Sequence, residues 1–227
     1  MKEEILTQKE KRAQASFMRK IKEVKRKTKK PIIVAMVGLV GSGKSFVAKE
    51  LAKLIGATII NGDAIRVCLR KAGERYENVR KIGENAVEKV IKKSGNAVLD
   101  SDFNSAEKQR NIQKVLKKFG TKLVFLRTYA DYDVMAGRII SAKYRSSVDD
   151  FFGGASTKWQ GNEQSRGAVV KLREMWRRTP HHYRWEDKSG GKWILKKIPF
   201  PVFTSIDTTE SKKWKNEIIK IARRLRG

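Results

Sequence analysis

The chain has 227 residues, of which 40% are hydrophobic, so it is long enough to form one α/β domain with a substantial core. This composition excludes a wholly disordered chain, and a single cysteine excludes an intramolecular disulfide. Lysine and arginine number 52 against 24 aspartate and glutamate residues, a net charge of +28 that predicts attraction to polyanions such as nucleic acid or nucleotides. No apolar run approaches the roughly 18 residues needed to span a bilayer, and a cytoplasmic location is expected.

Residues 1–30 are predicted to form a basic amphipathic helix. Ala13, Phe17, Ile21 and Val24 lie three or four positions apart, which is the spacing of one helix face. Two interpretations stay open. The helix either packs against the main domain with a solvated basic face, or it is an arm that docks on nucleic acid or a membrane.

Short apolar runs alternate with longer helical patterns over residues 31–227. This alternation indicates β-α-β crossovers and therefore a parallel sheet covered by helices on both faces. The predicted fold class is an α/β three-layer sandwich with a five-stranded parallel sheet, and residues from about 141 to 200 are expected to form a lid-like insertion. The predicted strands are 32–37, 58–61, 96–100, 122–126 and 202–206, and the predicted helices are 45–55, 79–93, 106–119, 131–144, 167–178 and 212–225.

The segment 38–45, with the sequence G-L-V-G-S-G-K-S, follows a predicted strand and leads into a predicted helix. It satisfies the pattern G-x-x-x-x-G-K-[ST], whose glycines let successive backbone amides face phosphate oxygens. Lys44 supplies a cation for the β- and γ-phosphates, and the Ser45 hydroxyl is placed to bind Mg²⁺. Because the chain lacks the Asn-Lys-x-Asp element that GTPases use for guanine, ATP is the expected nucleotide. The predicted nucleotide-binding residues are Gly38, Gly41, Ser42, Gly43, Lys44 and Ser45.

A carboxylate and a guanidinium follow the second predicted strand. Asp63 lies just beyond the carboxyl end of that strand, at the edge where ligands bind in open α/β sheets. Arg66 follows three residues later, on the same side of a helical turn. Asp63 is placed to accept the proton of an attacking hydroxyl, and Arg66 to hold a phosphate group. Capping of a helix is the alternative role for Asp63, and the two roles are compatible.

Further charged candidates follow the third and fourth strands. Asp100 ends an apolar strand as a magnesium-binding carboxylate does, and Asp102 is expected to face the acceptor, although the opposite assignment stays open. Arg127, Arg138 and Arg145 come after the fourth predicted strand, where a cation that arrives with a closing lid would stabilise the transferred phosphoryl group. Arg138 is the arginine expected to act in catalysis.

These motifs resemble the P-loop kinases grouped around polynucleotide 5′-hydroxyl kinase, a group that includes zeta-toxin-type and chloramphenicol phosphotransferase-type enzymes. The resemblance covers about residues 31–145 with the last strand and helix. It implies that Asp63 is the general base and that Arg66 clamps a substrate phosphate. The lid helix of this group usually offers two arginines four positions apart. Here Arg138 fits the first position, and Ala142 stands at the second.

The expected activity is transfer of the γ-phosphoryl group of ATP to a nucleic-acid 5′-hydroxyl, which both the net charge and the resemblance favour. A small metabolite or nucleotide-linked sugar is the alternative acceptor. A nucleotide-gated RNA-binding module with little turnover is the alternative from another class. Trp176, Tyr183, Trp185 and Trp193 lie among basic residues and form either a stacking platform for single-stranded nucleic acid or a small satellite core.

Overall fold

A five-stranded parallel sheet forms the centre of the computed structural model, which describes residues 5–145, 147–154, 163–210 and 213–227. The strands of the chain are β1 (Ile32–Val37), β2 (Ala57–Asn61), β3 (Asn96–Asp100), β4 (Lys122–Tyr129), β5 (Tyr183–Glu186), β6 (Lys192–Leu195) and β7 (Thr204–Asp207). The helices are α1 (Gln8–Lys20), α2 (Lys44–Ile55), α3 (Gly62–Lys71), α4 (Val79–Lys92), α5 (Ala106–Lys117), α6 (Tyr132–Ser141), α7 (Glu163–His182) and α8 (Lys213–Arg226).

The sheet has the strand order β2-β3-β1-β4-β7, and every neighbouring pair is parallel. All six residues of β1 are buried, because this central strand is covered by helices on both faces. Val34 of β1 pairs with Val98 on one side and Val124 on the other. The predicted three-layer sandwich with five parallel strands is therefore confirmed.

Two apolar layers cover the sheet. On one face, α2 and α8 pack side chains such as Leu51 and Ile218 against the strands. On the other face, α1, α3, α4 and α5 form the second layer, in which Phe17 and Ile82 are buried. The N-terminal helix is thus part of the core, as the first of its two interpretations predicted. A capping box begins this helix, since the Thr7 hydroxyl accepts from the Glu10 amide and the Glu10 carboxylate accepts from the Thr7 amide.

Several boundaries differ from the sequence-based prediction. Helix α1 ends at Lys20 and not at residue 30, because the backbone of Ile21 is extended. Val24, which was predicted to lie on the apolar face of the helix, is exposed. Strand β4 runs on to Tyr129, since its last four residues pair with β7. Helix α3 was not predicted as a separate element. Residues 1–4, residues 146 and 155–162 of the predicted lid, and the predicted helix start at 212 lie outside the described residues.

Between β4 and β7, the described part of the insertion consists of α6, α7 and the antiparallel hairpin β5–β6. The hairpin places Trp185 opposite Trp193. Tyr183 is buried in a third apolar cluster, and Trp193 stacks on Tyr132 with ring centroids 4.8 Å apart. A satellite core therefore accounts for Tyr183 and Trp193, whereas Trp176 and Trp185 are exposed. No helix in the described ranges combines the length and apolarity that crossing a membrane requires.

Candidate active site

The loop of residues 38–45, called the phosphate loop below, connects the end of β1 to the start of α2. Gly38, Gly41 and Gly43 all have positive φ angles, which glycine adopts without strain. A Cβ atom on Gly38 would lie 2.5 Å from the backbone oxygen of Thr128, so a larger residue does not fit. The loop thus reaches the start of α2 as a tight backbone turn, and free amides at a helix start attract anions such as phosphate.

Lys44 is the first residue of α2, and its ammonium folds back over the phosphate loop. The Nζ atom donates to the carbonyl oxygens of Gly38, at 2.7 Å, and Leu39, at 2.8 Å. Burial lowers the pKa of Lys44, while the negative charges of Asp102 and Asp100 act in the opposite direction. The ammonium is therefore held between the loop and the carboxylates at the end of β3.

Ser45 and Asp100 come together as a candidate magnesium site. The Ser45 hydroxyl donates to Asp100 Oδ1 at 3.2 Å, and the Asn61 amide donates to Asp100 Oδ2 at 2.6 Å. Hydroxyl and carboxylate oxygens are the ligands Mg²⁺ prefers, usually together with water and substrate phosphates. The described residues contain no cluster of three or more histidine, cysteine or acidic side chains that could hold a metal without such help. The donor set therefore fits a magnesium ion that is shared with a nucleotide.

Asp102 is engaged on both of its carboxylate oxygens. Oδ1 accepts from the backbone amides of Gly38, at 3.2 Å, and Asn104, at 3.3 Å, and Oδ2 lies 2.9 Å from Nε2 of His182. Burial opposes ionisation of Asp102, but the hydrogen bond and charge of His182, the charge of Lys44 and the Gly38 amide together lower its pKa to about 2. That Asp102 faces the acceptor stays a prediction. Asp102 lines the cavity described below, but its oxygens tie the phosphate loop to the end of α7.

His182 is a residue of the site that the sequence analysis missed. It lies 80 positions from Asp102, it is 2% exposed, and it comes at the end of α7. The pair His181-His182 carries no spacing signal that links it to an acid of β3. Only the packing of α7 against the carboxyl edge of the sheet could reveal the contact.

Asp63 and Arg66 form the predicted pair on the first turn of α3. Arg66 Nη1 donates to Asp63 Oδ1 at 3.0 Å, and both residues line the cavity. The capping role considered for Asp63 belongs instead to Asn61, whose side-chain oxygen accepts from the amide of Ala64. The Asp63 carboxylate is therefore available for chemistry at the carboxyl edge of the sheet.

A cavity of about 1220 Å³ joins the phosphate loop to a cationic wall. Burial lowers the pKa of Lys108 and of Lys171, and nearby carboxylates, led by Asp102 for Lys108 and Asp63 for Lys171, oppose this effect. Cations in a partly desolvated wall attract anions more strongly than cations in bulk water do. We call this part of the cavity the acceptor arm. Its charged lining residues are Asp63, Arg66, Lys108, Lys171, Glu174, Arg177 and Arg178, and Glu174 forms ion pairs with Arg177 at 2.8 Å and with Arg178 at 2.9 Å.

The three arginines predicted near the fourth strand have different surroundings. Arg138 lines the cavity, and its guanidinium donates to the Gly41 carbonyl oxygen at 3.3 Å and to the Thr208 hydroxyl at 3.1 Å. Arg127 lies inside β4 and not after it, is buried, and donates to the Lys196 carbonyl oxygen at 2.8 Å. Arg145 is exposed. Neither Arg127 nor Arg145 lines the cavity. The burial of Arg127 and its contact with Lys196 argue against a role for it in the lid, whereas the role of Arg145 stays a prediction.

A phosphate loop at the carboxyl edge of a parallel sheet, with a hydroxyl and a carboxylate beside it, defines a P-loop nucleotide-binding protein. Comparison with known families agrees. A family model described as an AAA domain (AAA_33) matches residues 33–154, which is more than half of the chain, and the chain belongs to this family.

Individual relatives show similarities of different extent. The chain is 31% identical over 122 residues to an adenylyl-sulfate kinase of Buchnera aphidicola subsp. Schizaphis graminum (strain Sg), and the match covers 49% of this chain and 56% of that protein. The chain therefore spans little more than half the length of this curated relative.

Among solved structures, a protein of Chloroflexus aurantiacus J-10-fl described as a kinase has a TM-score of 0.55 at 15% identity, covering 87% of this chain and 99% of that one. Mycobacterium tuberculosis APS kinase CysC, in complex with AMPPNP and APS, has a TM-score of 0.47 at 18% identity, covering 86% and 95%. The first of these similarities shows a shared fold.

Proposed function

We propose that this chain is an ATP- and Mg²⁺-dependent kinase that transfers the γ-phosphoryl group to a hydroxyl of a small anionic acceptor. The observation that carries the proposal is the continuous cavity between the phosphate loop, the Asp63 carboxylate and the acceptor arm. One cavity can hold the donor phosphates and an acceptor side by side, which in-line transfer requires. The similarity to an adenylyl-sulfate kinase supports an acceptor of this size and charge.

The donor half of the proposed reaction rests on the phosphate loop. Its amides and Lys44 bind the β- and γ-phosphates, and Ser45 and Asp100 hold the magnesium ion directly or through water. Magnesium, when bound, neutralises charge on the phosphate oxygens during transfer. The Arg138 guanidinium donates to the Gly41 carbonyl oxygen and so stabilises the phosphate loop. This contact is the reason that we propose a role for Arg138 in phosphoryl transfer.

The acceptor half rests on Asp63 and Arg66. Asp63 accepts the proton of the acceptor hydroxyl as the new oxygen–phosphorus bond forms and the bond between the γ-phosphorus and the bridging oxygen breaks, which leaves ADP. Arg66, bonded to Asp63 at 3.0 Å, orients the carboxylate and contacts an anionic group of the acceptor.

The residues between α6 and β7 complete the acceptor arm. Lys171, Arg177 and Arg178 project into the cavity from the middle of α7, whose end is held by the His182–Asp102 contact. We therefore propose that residues 31–227 form the kinase domain, with residues from about 141 to 200 as its lid and residues 1–30 as its N-terminal helical segment. The cationic side chains of the lid would bind a phosphate or sulfate group of the acceptor.

A nucleic-acid 5′-hydroxyl is the second candidate acceptor. The spacing Asp63-x-x-Arg66 supports it through the resemblance to polynucleotide kinases. The phosphodiester next to a terminal hydroxyl would also meet the same cations of the acceptor arm. Both candidates use one catalytic arrangement, so they differ only in what occupies that arm.

Transfer of label from γ-labelled ATP tests the proposal against a panel of adenylyl sulfate, sugar phosphates, nucleosides and 5′-hydroxyl oligonucleotides. We expect label on an anionic small molecule, and Asp63→Asn should reduce transfer by roughly 100-fold or more while ATP binding is retained. Glu77→Gln, which removes an exposed carboxylate that does not line the cavity, is the matched control and should transfer normally. Label on oligonucleotides alone would select the second candidate. Hydrolysis of ATP without transfer to any acceptor would reject the kinase proposal.

A further inference from the structure

The phosphate loop lies where the strands of the sheet end, and the opposite edge, where the strands begin, carries a concentrated positive charge. Because the strands are parallel and connected by helices, the starts of the strands and the ends of the helices meet at this edge. We call its surface the basic edge and define it by residues 22–30, 53–56, 92–95, 117–122 and 223–227. These segments contain fifteen lysine and arginine residues and one acidic residue, Glu23. No contiguous stretch of the sequence with the same total length contains as many lysine and arginine residues.

Hydrogen bonds join four of the five segments in one surface, and the pairing of Lys122 in β4 with Ile32 in β1 places the fifth, residues 117–122, beside them. The Lys27 amide donates to the Ile55 carbonyl oxygen at 2.9 Å, which joins residues 22–30 to the end of α2. Arg26 Nη1 donates to the Ser94 carbonyl oxygen at 3.1 Å, beyond the end of α4. Arg226 Nε donates to the Leu54 carbonyl oxygen at 3.0 Å, which brings the end of α8 to the same place. The fold therefore assembles the basic edge from residues that are far apart in the sequence.

Stabilisation of helix ends does not account for this charge. A cation near a helix C-terminus stabilises that helix only modestly, and the effect fades within the last turn. Six of the fifteen cations lie in residues 22–30, which form no helix. Of these six, Arg26 and Lys27 donate to carbonyl oxygens at the ends of α4 and α2, and no such contact is described for the other four. Glu23 pairs with Lys89 and Lys93, and the side chains of Lys25, Lys29 and Lys30 are exposed. So much uncompensated positive charge on one side of a domain repels itself, and a polyanion relieves the repulsion.

We infer that the basic edge binds the phosphate backbone of a structured nucleic acid. Nucleic-acid backbones present rows of phosphates that lysine and arginine neutralise with release of counterions. A single strand would need exposed aromatic side chains for stacking, and a membrane surface would need apolar side chains to insert. Among the large exposed hydrophobic side chains of the described residues, Val24 alone lies in the basic edge, and none there is aromatic. Backbone contact with a helical nucleic acid is the mode that fits such a surface.

This inference goes beyond the proposed kinase reaction and does not depend on it. Strand β1 has six residues and spans about 20 Å between the two edges of the sheet. Nucleic acid on the basic edge is therefore a partner that docks the protein and is not the occupant of the acceptor arm. Binding and phosphoryl transfer can be measured separately.

Fluorescence anisotropy with a labelled RNA hairpin tests the inference on the full chain. We expect binding that weakens steeply as salt rises from 50 to 200 mM, with a log–log slope of about −0.9 for each phosphate contact of a duplex. The triple substitution Lys25→Glu, Lys29→Glu and Lys30→Glu should make that slope less steep by the contribution of roughly three phosphate contacts. At 0.1 M salt each lost contact lowers the affinity about eightfold on the same relation.

A second triple variant distinguishes an effect of the basic edge on binding from an effect of the net charge. Lys9→Glu, Lys11→Glu and Arg12→Glu make the same change in charge at exposed positions outside the basic edge, and we expect hairpin affinity close to that of the unchanged protein. Equal losses in the two variants would overturn the inference, because they would show an effect of net charge alone. So would the absence of hairpin binding, tighter binding to poly(U), or binding to phosphatidylserine vesicles without binding to RNA. Phosphoryl transfer to a small acceptor should be unchanged in both variants, and a failure of transfer in the unchanged protein would count against the kinase proposal only.

Discussion

Replacing His182 by alanine tests whether its imidazole holds Asp102, and through Asp102 the Gly38 amide, in the position that nucleotide binding requires. A hydrogen bond to a charged group contributes about 1.5–3 kcal/mol to stability. The lowering of the Asp102 pKa from 3.8 to about 2 is a net effect of about 2 kcal/mol, because the contacts with His182, Lys44 and the Gly38 amide together outweigh the burial that opposes ionisation. The lower end of the hydrogen-bond range is the better value for the contact with His182, because the Gly38 and Asn104 amides still bind the Asp102 carboxylate after the imidazole is removed.

Loss of the buried imidazole also leaves a cavity, because His182 is 2% exposed. We therefore expect His182→Ala to destabilise the protein by about 2–3 kcal/mol in total. For a chain of this length each kcal/mol lowers the melting temperature by about 2–4 °C, so the expected decrease is roughly 4–12 °C. Nucleotide affinity should also fall, since one carboxylate contacts both His182 and the phosphate loop.

Thermal unfolding and titration with a nonhydrolysable ATP analogue measure the two effects. His181→Ala is the matched control, because this neighbouring histidine is exposed and only its backbone carbonyl accepts a described hydrogen bond, from Asn104. His182→Gln, whose amide can still donate to Asp102, should recover part of both losses. If His182→Ala and His181→Ala had the same melting temperature and the same affinity, the proposed link between α7 and the phosphate loop would be wrong.

Three further predictions concern the phosphate loop and the acceptor arm. Gly38→Ala should abolish nucleotide binding, because the added methyl group would lie 2.5 Å from the Thr128 carbonyl oxygen, and an analogue titration of the folded variant checks this. Arg138→Ala should lower both the melting temperature and the nucleotide affinity, since it removes the donor that joins the phosphate loop to Thr208; unchanged stability with lost turnover would show that Arg138 acts on transfer alone. Burial lowers the pKa of Lys171, so the ammonium should lose its proton, and acceptor binding should weaken, at a pH below the ordinary lysine pKa of 10.5. Lys171→Arg should flatten this dependence of KM on pH, because arginine keeps its charge there.

Much of the fold and the centre of the site follow from local sequence patterns. The bounds predicted for β1 and β3 agree with the structure, since continuous apolar runs between turn residues form strands that are buried on both faces. The phosphate loop and the pair of Asp63 and Arg66 depend on spacings of a few residues, which backbone geometry alone converts into proximity. The contact between Ser45 and Asp100 was also within reach, because the carboxyl ends of neighbouring parallel strands share one edge of the sheet.

Packing between distant segments decided the rest. Pairing with β7 extended β4 and placed Arg127 inside a strand, and the direction of α7 brought Lys171 into the cavity and His182 to Asp102. The basic edge likewise exists only where five separated segments meet. A pattern of hydrophobic residues determines which face of an element is buried, but it does not determine which other element covers that face. Contacts between residues 70 or 80 positions apart depend on which element covers each buried face. The fit of side chains in the folded chain determines that pairing of elements.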